Sequence, residues 1–377
     1  MAVATISYLT TVKFDFGAIT ELAGALQSFG IVRPLIVTDR GVRAVGLVER
    51  AEAAMKMPAA AIFDDTPTNP TERAARAALQ LFRENQCDGI VAIGGGSPID
   101  LAKACALMVT HDGPLGQYAA VEGGIARITA NMPPVIAVPT TAGTGAEVGR
   151  AAIVILDDGR KLGLVSPYLF PKMAICDPEL TLGLPPKLTA ATGMDALTHC
   201  VETYLANAVN PPADAIALDG LTRCGASLER ATQDGQDRGA RWNMMMAALE
   251  GALAFQKGLG AVHAMSHALG GLENLSLHHG TLNAVLLPTV LRFNADVVGH
   301  KYPRLVAALG LPEDADLAGS IEDLNGRLGM PASLSAMGVT EGVLDRTAEF
   351  AAKDHTNATN PKPANADDYR RLLREAL

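Results

Sequence analysis

An apolar run from Gly89 to Ile93 passes straight into Gly94-Gly95-Gly96-Ser97-Pro98-Ile99-Asp100, and a helical pattern follows at once. Few arrangements satisfy such a stretch. The run reads as a buried strand, and the pattern from Pro98 to Val109 reads as a helix. Ser97 suits the cap of that helix and Pro98 its first residue, since proline lacks an amide that would go unpaired there. A plain turn needs only one glycine. Three let the backbone approach a ligand closely, where a helix N-terminus offers free amides and partial positive charge. Gly95, Gly96, Ser97 and Asp100 are therefore candidate contacts to a cofactor pyrophosphate.

The same alternation extends on both sides. Pro34–Asp39 reads as a strand followed by a helix over about 42–55, and Ala59–Phe63 as a strand followed by a helix over 71–84, with Thr71 as its cap. Val135–Val138, Ala152–Leu156 and Met173–Cys176 are further strands, and Met1–Phe16 alternates as a strand does. Strands alternating with helices predict a mostly parallel sheet covered by helices. This α/β part is expected to span residues 1–180. After Pro185-Pro186, alanine, leucine and methionine dominate, and strand-like runs stop. Residues 181–377 are expected to form a helical domain that ends in a loop over 357–365 and a helix over 367–377.

Hydrophobic residues make up 49% of the 377 residues and charged residues 19%, a balance that suits packed cores and not a disordered chain. The net charge of −9 gives no basic footprint for nucleic acid or anionic lipid. No apolar run reaches the roughly 20 residues of a membrane span, and nothing resembles a signal peptide. Five scattered cysteines without zinc-finger spacing fit a reduced, cytoplasmic setting.

Chemistry is concentrated in the second half. Five of the eight histidines fall between His199 and His279. Asp195 and His199 are four apart, which on a helix puts them on one face, a turn apart. A second stretch carries His263, His267, His278 and His279. A carboxylate and several imidazoles from separate helices make a cage for a divalent metal. Nearer the N-terminus, Pro139-Thr140-Thr141-Ala142-Gly143-Thr144-Gly145-Ala146-Glu147 follows a strand of the same sheet, where open α/β folds bind ligands. Thr140, Thr141 and Thr144 can contact phosphate, ribose or nicotinamide. Asp39 ends the first clear strand; it either caps a helix or accepts from an adenosine ribose. In the second case it repels a 2′-phosphate and favours NAD over NADP.

Together these motifs resemble the iron-containing (metal-dependent, type III) alcohol dehydrogenases over nearly the whole chain. GGGSPIDLAK at Gly94–Lys103 is similar to the family's phosphate loop, and PTTAGTGAE at Pro139–Glu147 to its second cofactor loop. DPELTLGLPP at Asp177–Pro186 resembles its domain junction. GMDALTHCVETY at Gly193–Tyr204 resembles its first metal motif, and HAMSHALGG with HHGTLNAVLLP its second. The resemblance implies a dehydroquinate synthase-like architecture: a dinucleotide-binding α/β domain followed by an all-α domain. It places Asp195, His199, His263 and His279 on metal-ligand positions and His267 on a histidine near the substrate. It also puts Lys161 near the cofactor ribose and Leu180 under the adenosine. The interval from His267 to His279 is longer than is usual in the family, so His278 also competes for the last ligand position. The extra residues, within Leu272–Leu277, are expected to reshape the pocket wall.

The implied activity is NAD-linked interconversion of a primary alcohol and its aldehyde by hydride transfer. The metal is Fe(II), with zinc as substitute, and His267 relays the alcohol proton. A homodimer or higher homo-oligomer follows from the resemblance alone. Alternatives on the same architecture are a polyol dehydrogenase, a maleylacetate-type reductase, a dehydroquinate-synthase-like lyase and a catalytically silent nicotinamide sensor.

Overall fold

The computed structural model describes residues 10–377 apart from 273, 274 and 276. The first nine residues of the expected N-terminal strand lie outside them; its described part forms β1 (Thr11–Phe14). The chain divides into two compact units. One holds the described residues up to Thr141 together with Gly145–Gly183, and the other holds Ala142–Thr144 with Leu184–Leu377.

In chain order the first unit contains β1, α1 (Leu22–Ser28), β2 (Pro34–Val37), α2 (Arg40–Ala44), α3 (Leu47–Met55) and β3 (Ala61–Phe63). It continues with α4 (Glu72–Glu84), β4 (Gly89–Gly94), α5 (Gly96–Thr110), β5 (Val135–Pro139), β6 (Ala151–Ile155), β7 (Lys161–Val165) and β8 (Met173–Cys176). Six strands form one parallel sheet in the order β1-β8-β5-β4-β2-β3. Alternate residues feed two cores. Leu35, Val37, Ile90, Ala92, Val135 and Ala137 enter one with α4 and α5, while Ile36, Val91, Ile93, Ile136 and Val138 enter the other with α1 and α3. Strands covered on both faces are apolar throughout, as β2, β4 and β5 are.

Three local expectations are corrected. The helix expected over 42–55 is two helices, α2 and α3, because Gly46 adopts φ +78, a left-handed conformation that breaks the ladder. The Ala152–Leu156 strand does not join the main sheet; as β6 it pairs antiparallel with β7, which the sequence pattern did not reveal. Ser97 does not cap α5. Extended Gly95 does, and Ser97, already inside the first turn, donates its hydroxyl to the Thr68 carbonyl. Thr71 does cap α4, accepting from the Ala74 amide.

The second unit is helical: α6 (Pro186–Leu205), α7 (Pro211–Gln233), α8 (Arg238–Ala254), α9 (Ala261–Gly270) and α10 (His279–Val298) precede α11 (Tyr302–Ala308), α12 (Leu317–Arg327), α13 (Leu344–Lys353) and α14 (Ala366–Glu375). Every residue of α6 from Thr189 to Leu205 is buried, and the helix packs against α7, α8 and α10. A helix enclosed on all sides needs no amphipathic stripe. Its polar residues therefore face other protein groups, and that is where the site lies. No described helix is long and apolar enough to cross a membrane.

Candidate active site

Three helices of the second unit bring the histidines together. Asp195, His199 and Glu202 succeed one another along one face of α6, while α9 carries His263 and His267 and α10 opens with His279. One oxygen of Asp195, Oδ1, lies 3.7 Å from His199 Nε2, 3.8 Å from His263 Nε2 and 3.6 Å from His279 Nε2. Asp195, His263 and His279 form the tighter group, each offering an atom within 4.8 Å of the others; His199 reaches the same oxygen but falls outside that group. Such spacings suit ligand atoms arranged around one ion at about 2.0–2.2 Å.

The surroundings prepare these nitrogens to bind a cation. Glu202 Oε2 sits 2.6 Å from His263 Nδ1, and its carboxylate also accepts from the Gly260 and Val262 amides at 3.1 and 2.7 Å. With Nδ1 donating to Glu202, His263 presents a lone pair on Nε2. Burial lowers the pKa of His199 to about 4 against the opposing pull of Asp195, which keeps the ring neutral and able to donate electrons. Fully buried Asn283 directs Nδ2 to Asp195 Oδ1 at 2.7 Å and lies 3.3 Å from both His263 Nε2 and His279 Nε2. Two glycines let the helices approach closely. A Cβ on Gly280 would lie 2.1 Å from the Ala191 carbonyl oxygen, and one on Gly251 would lie 3.1 Å from His199 Cβ.

His278, the other candidate for the last position, caps α10 with its ring 3.4 Å from Thr281 Oγ1 and is in neither residue group suited to a metal. His267 turns its Nδ1 to Asp354 Oδ2 at 3.0 Å and stacks between His279 and His355. Side-chain exposure rises from 2% at Asp195 and His263 to 23% at His279 and 37% at His355, which identifies the open side of the centre. Of the segment expected to reshape the pocket wall, Glu273, Asn274 and Ser276 lie outside the described residues.

In the first unit Asp39, Gly95, Gly96, Ser97, Thr140 and Thr141 follow the C-terminal ends of β2, β4 and β5. Gly94 has φ +150, and a Cβ there would lie 2.6 Å from the Pro98 ring, so only glycine fits. The Thr140 amide donates to the Gly94 carbonyl at 2.9 Å, which sets the two loops side by side. A Cβ on Gly95 would lie 3.2 Å from Thr141 Oγ1. Strand order reverses between β2 and β4, and Asp39 and Gly94–Ser97 flank that point, where doubly wound sheets bind ligands. Asp39 caps α2 through Val42. Asp100 faces inward, accepting from Lys103 at 3.2 Å and the Ile153 amide at 3.1 Å. Lys161 Nζ donates to Asn69, and Leu180 is buried in the α1–α3 core. Thr144 lies in the Ala142–Thr144 segment of the helical unit, where Gly143 would carry a Cβ 2.7 Å from that of Thr192.

Sequence reasoning overlooked Glu202, Asn283 and Asp354. The first two carried a signal: Glu202 follows Asp195 by seven and Asn283 follows His279 by four, spacings that share a helix face. Asp354 had none, because only the fold brings it to His267.

Known proteins match this chain over nearly all of its length. Residues 10–178 match the iron-containing alcohol dehydrogenase model, and residues 189–377 match the C-terminal model of the Fe-containing alcohol dehydrogenase family. A 4-hydroxybutyrate dehydrogenase of Cupriavidus necator is 58% identical over 99% of this chain and 100% of its own. Among solved structures, a 1,3-propanediol oxidoreductase superposes with a TM-score of 0.91 at 36% identity, covering 99% of this chain and 100% of its own. A sulfoacetaldehyde reductase from Bifidobacterium kashiwanohense, in complex with NAD+, does so at 0.89 and 28%, covering 100% and 99%. The sheet, the helical unit and the histidine-lined centre thus occur in a chain matched from end to end, which belongs to the iron-containing alcohol dehydrogenase family and is an NAD-linked oxidoreductase acting on the CH–OH group.

Proposed function

We propose that the alcohol oxidised is a short ω-hydroxy acid of the 4-hydroxybutyrate type, with Fe(II) held by Asp195, His199, His263 and His279. The observation that carries the metal assignment is the approach of three imidazole Nε2 atoms to one Asp195 oxygen at 3.6–3.8 Å. Three nitrogens and one oxygen suit Fe(II) and also accept zinc. The substrate class is supported by the 58% identical relative named for 4-hydroxybutyrate and by the structural neighbour named for sulfoacetaldehyde. Both names denote a small reacting group at one end and an acid at the other.

When bound, the divalent ion supplies Lewis acidity toward the substrate oxygen, and NAD supplies the hydride acceptor. The protein's own groups do the rest. Neutral His199 and Glu202-oriented His263 keep lone pairs on the ion side. His267, whose Nδ1 is held by Asp354, takes the alcohol proton at Nε2. Amides of the Gly94–Ser97 turn receive the pyrophosphate, and Asp39 receives the adenosine ribose. Thr140, Thr141, Lys161 and Leu180 complete the NAD site of the first unit in this reading, with Asp100 holding α5 to β6 beneath it. The family resemblance and five buried, unbridged cysteines support a cytoplasmic homo-oligomer.

The test follows nicotinamide absorbance with a panel of primary alcohols, diols and ω-hydroxy acids, with Fe(II) or zinc added to metal-stripped protein. The proposal expects 4-hydroxybutyrate to give the highest kcat/KM and Fe(II) the highest rate. A preference for uncharged alcohols would overturn the substrate class, and zinc outperforming iron would overturn the metal.

A further inference from the structure

The last carbonyls of a helix have no partner within it, and in α6 one of them draws two lysines together. The Tyr204 carbonyl accepts from Lys257 Nζ and from Lys301 Nζ, each at 3.2 Å. Cations suit a helix C-terminus, but here two of them share one oxygen. The acid that offsets them is unevenly placed. Asp214, in the first turn of α7, forms its ion pair with Lys257, whose side chain is 1% exposed. Among the described residues Lys301 pairs with no carboxylate. Besides the carbonyl it meets the Tyr204 ring, 5.5 Å away.

A neighbouring cation and a partly dry setting both favour the neutral form of an amine. Burial first, and the charge of Lys257 second, lower the pKa of Lys301 against the opposing pull of Asp214. Lys301 is only partly buried, so a small molecule reaches its amine. A desolvated lysine beside a second cation is the arrangement that turns this side chain into a nucleophile toward carbonyl compounds.

We propose that Lys301 is a site of covalent modification by aliphatic aldehydes, the class of product that oxidation of a primary alcohol releases, with Lys257 as the residue that activates it. The neutral Nζ bonds to the carbonyl carbon and the C–O bond breaks. Both amine protons leave with the oxygen as water, an imine remains, and nothing is oxidised or reduced. The modification removes one of the two ammonium groups from the end of α6, the helix that carries Asp195 and His199.

The test incubates the metal-loaded protein with propanal and cyanoborohydride, without nicotinamide so that the aldehyde is not turned over, and follows each lysine by peptide mass spectrometry. Lys301 is expected to be alkylated near neutral pH about tenfold or more faster than Lys353, whose side chain is 76% exposed. Two variants should act with opposite signs. Lys257→Met removes the neighbouring cation and is expected to slow labelling of Lys301, whereas Asp214→Asn removes the offsetting acid and is expected to speed it. A general loosening of the structure would move both in one direction. Labelling of Lys301 no faster than that of Lys353, or variants that fail to shift in opposite directions, overturns the proposal.

Discussion

Glu202 Oε2 lies 2.6 Å from His263 Nδ1, and the same carboxylate accepts the backbone amides of Gly260 and Val262 at the start of α9. One buried acid therefore orients a candidate ligand and anchors the helix that carries it. Glu202→Gln keeps the shape but replaces a charged acceptor with a weak one. Metal affinity is expected to fall by about 10–100-fold, the usual cost of losing such a partner. Metal content after dialysis against graded chelator measures it; wild-type retention would reduce Glu202 to a helix anchor.

Asp195→Ala and His199→Ala remove two atoms of the proposed cage. Both variants are expected to lose bound metal and dehydrogenase activity together, and to lose the rise in melting temperature that Fe(II) or zinc gives the wild type. Elemental analysis beside a thermal melt separates this from misfolding. A fully active variant without metal would sink the assignment.

Family, sheet and the helices that carry the proposed ligands were all legible in the sequence, for a physical reason. Asp195 and His199 lie on one helix, and Gly94–Asp100 is a local strand–turn–helix unit, so their spacing carries the information. What escaped was set by distant contacts. Nothing near Asp354 says that its carboxylate reaches His267, 87 residues away. β7 is short and partly exposed, and only its pairing with β6 makes it a strand. The break at Gly46 has a local signal, yet a glycine within a helical pattern is as often tolerated as not. The competition between His278 and His279 was local too, but which ring turns toward Asp195 depends on how α10 meets α6.

Asp39 combines two roles that one substitution can separate. It caps α2 through the Val42 amide at 2.9 Å, and in the proposed reading it meets the adenosine ribose. Asp39→Ser keeps a competent cap and removes the negative charge. The ratio of kcat/KM for NADP to that for NAD is expected to rise about tenfold or more, since like-charge repulsion of a 2′-phosphate is lost. Steady-state kinetics with both cofactors decides it; an unchanged ratio leaves Asp39 as a cap alone.

Gly280 follows His279 and lets α10 meet α6. A Cβ there would lie 2.1 Å from the Ala191 carbonyl oxygen and 3.1 Å from Asp195 Cβ, neither of which can yield without moving a helix. Gly280→Ala is expected to destabilise the protein by about 1–3 kcal/mol through overpacking, and to lower metal content by parting His279 from Asp195. Gly299→Ala, where a Cβ meets nothing within 4 Å, is the control and should match the wild type. Denaturant melts of the two variants compare them directly.

Glu147, in the second cofactor loop, is buried beside Asp100 and Lys103. Burial first, and Asp100 second, raise its pKa from 4.5 to about 7 against the opposing effect of its own amide and of Lys103. A raised folded-state pKa means that the folded protein holds a proton the unfolded chain has released. The resulting stability is complete below about pH 4.5 and is lost as pH rises through about 7. Glu147→Gln, which cannot ionise, is expected to remove that loss. Relative to the wild type, the variant should gain about 2–3 kcal/mol between pH 5 and pH 8, because each pKa unit corresponds to about 1.4 kcal/mol. Urea unfolding at the two pH values reads the difference, and parallel curves for both proteins would mean that Glu147 ionises at an ordinary pH despite its burial.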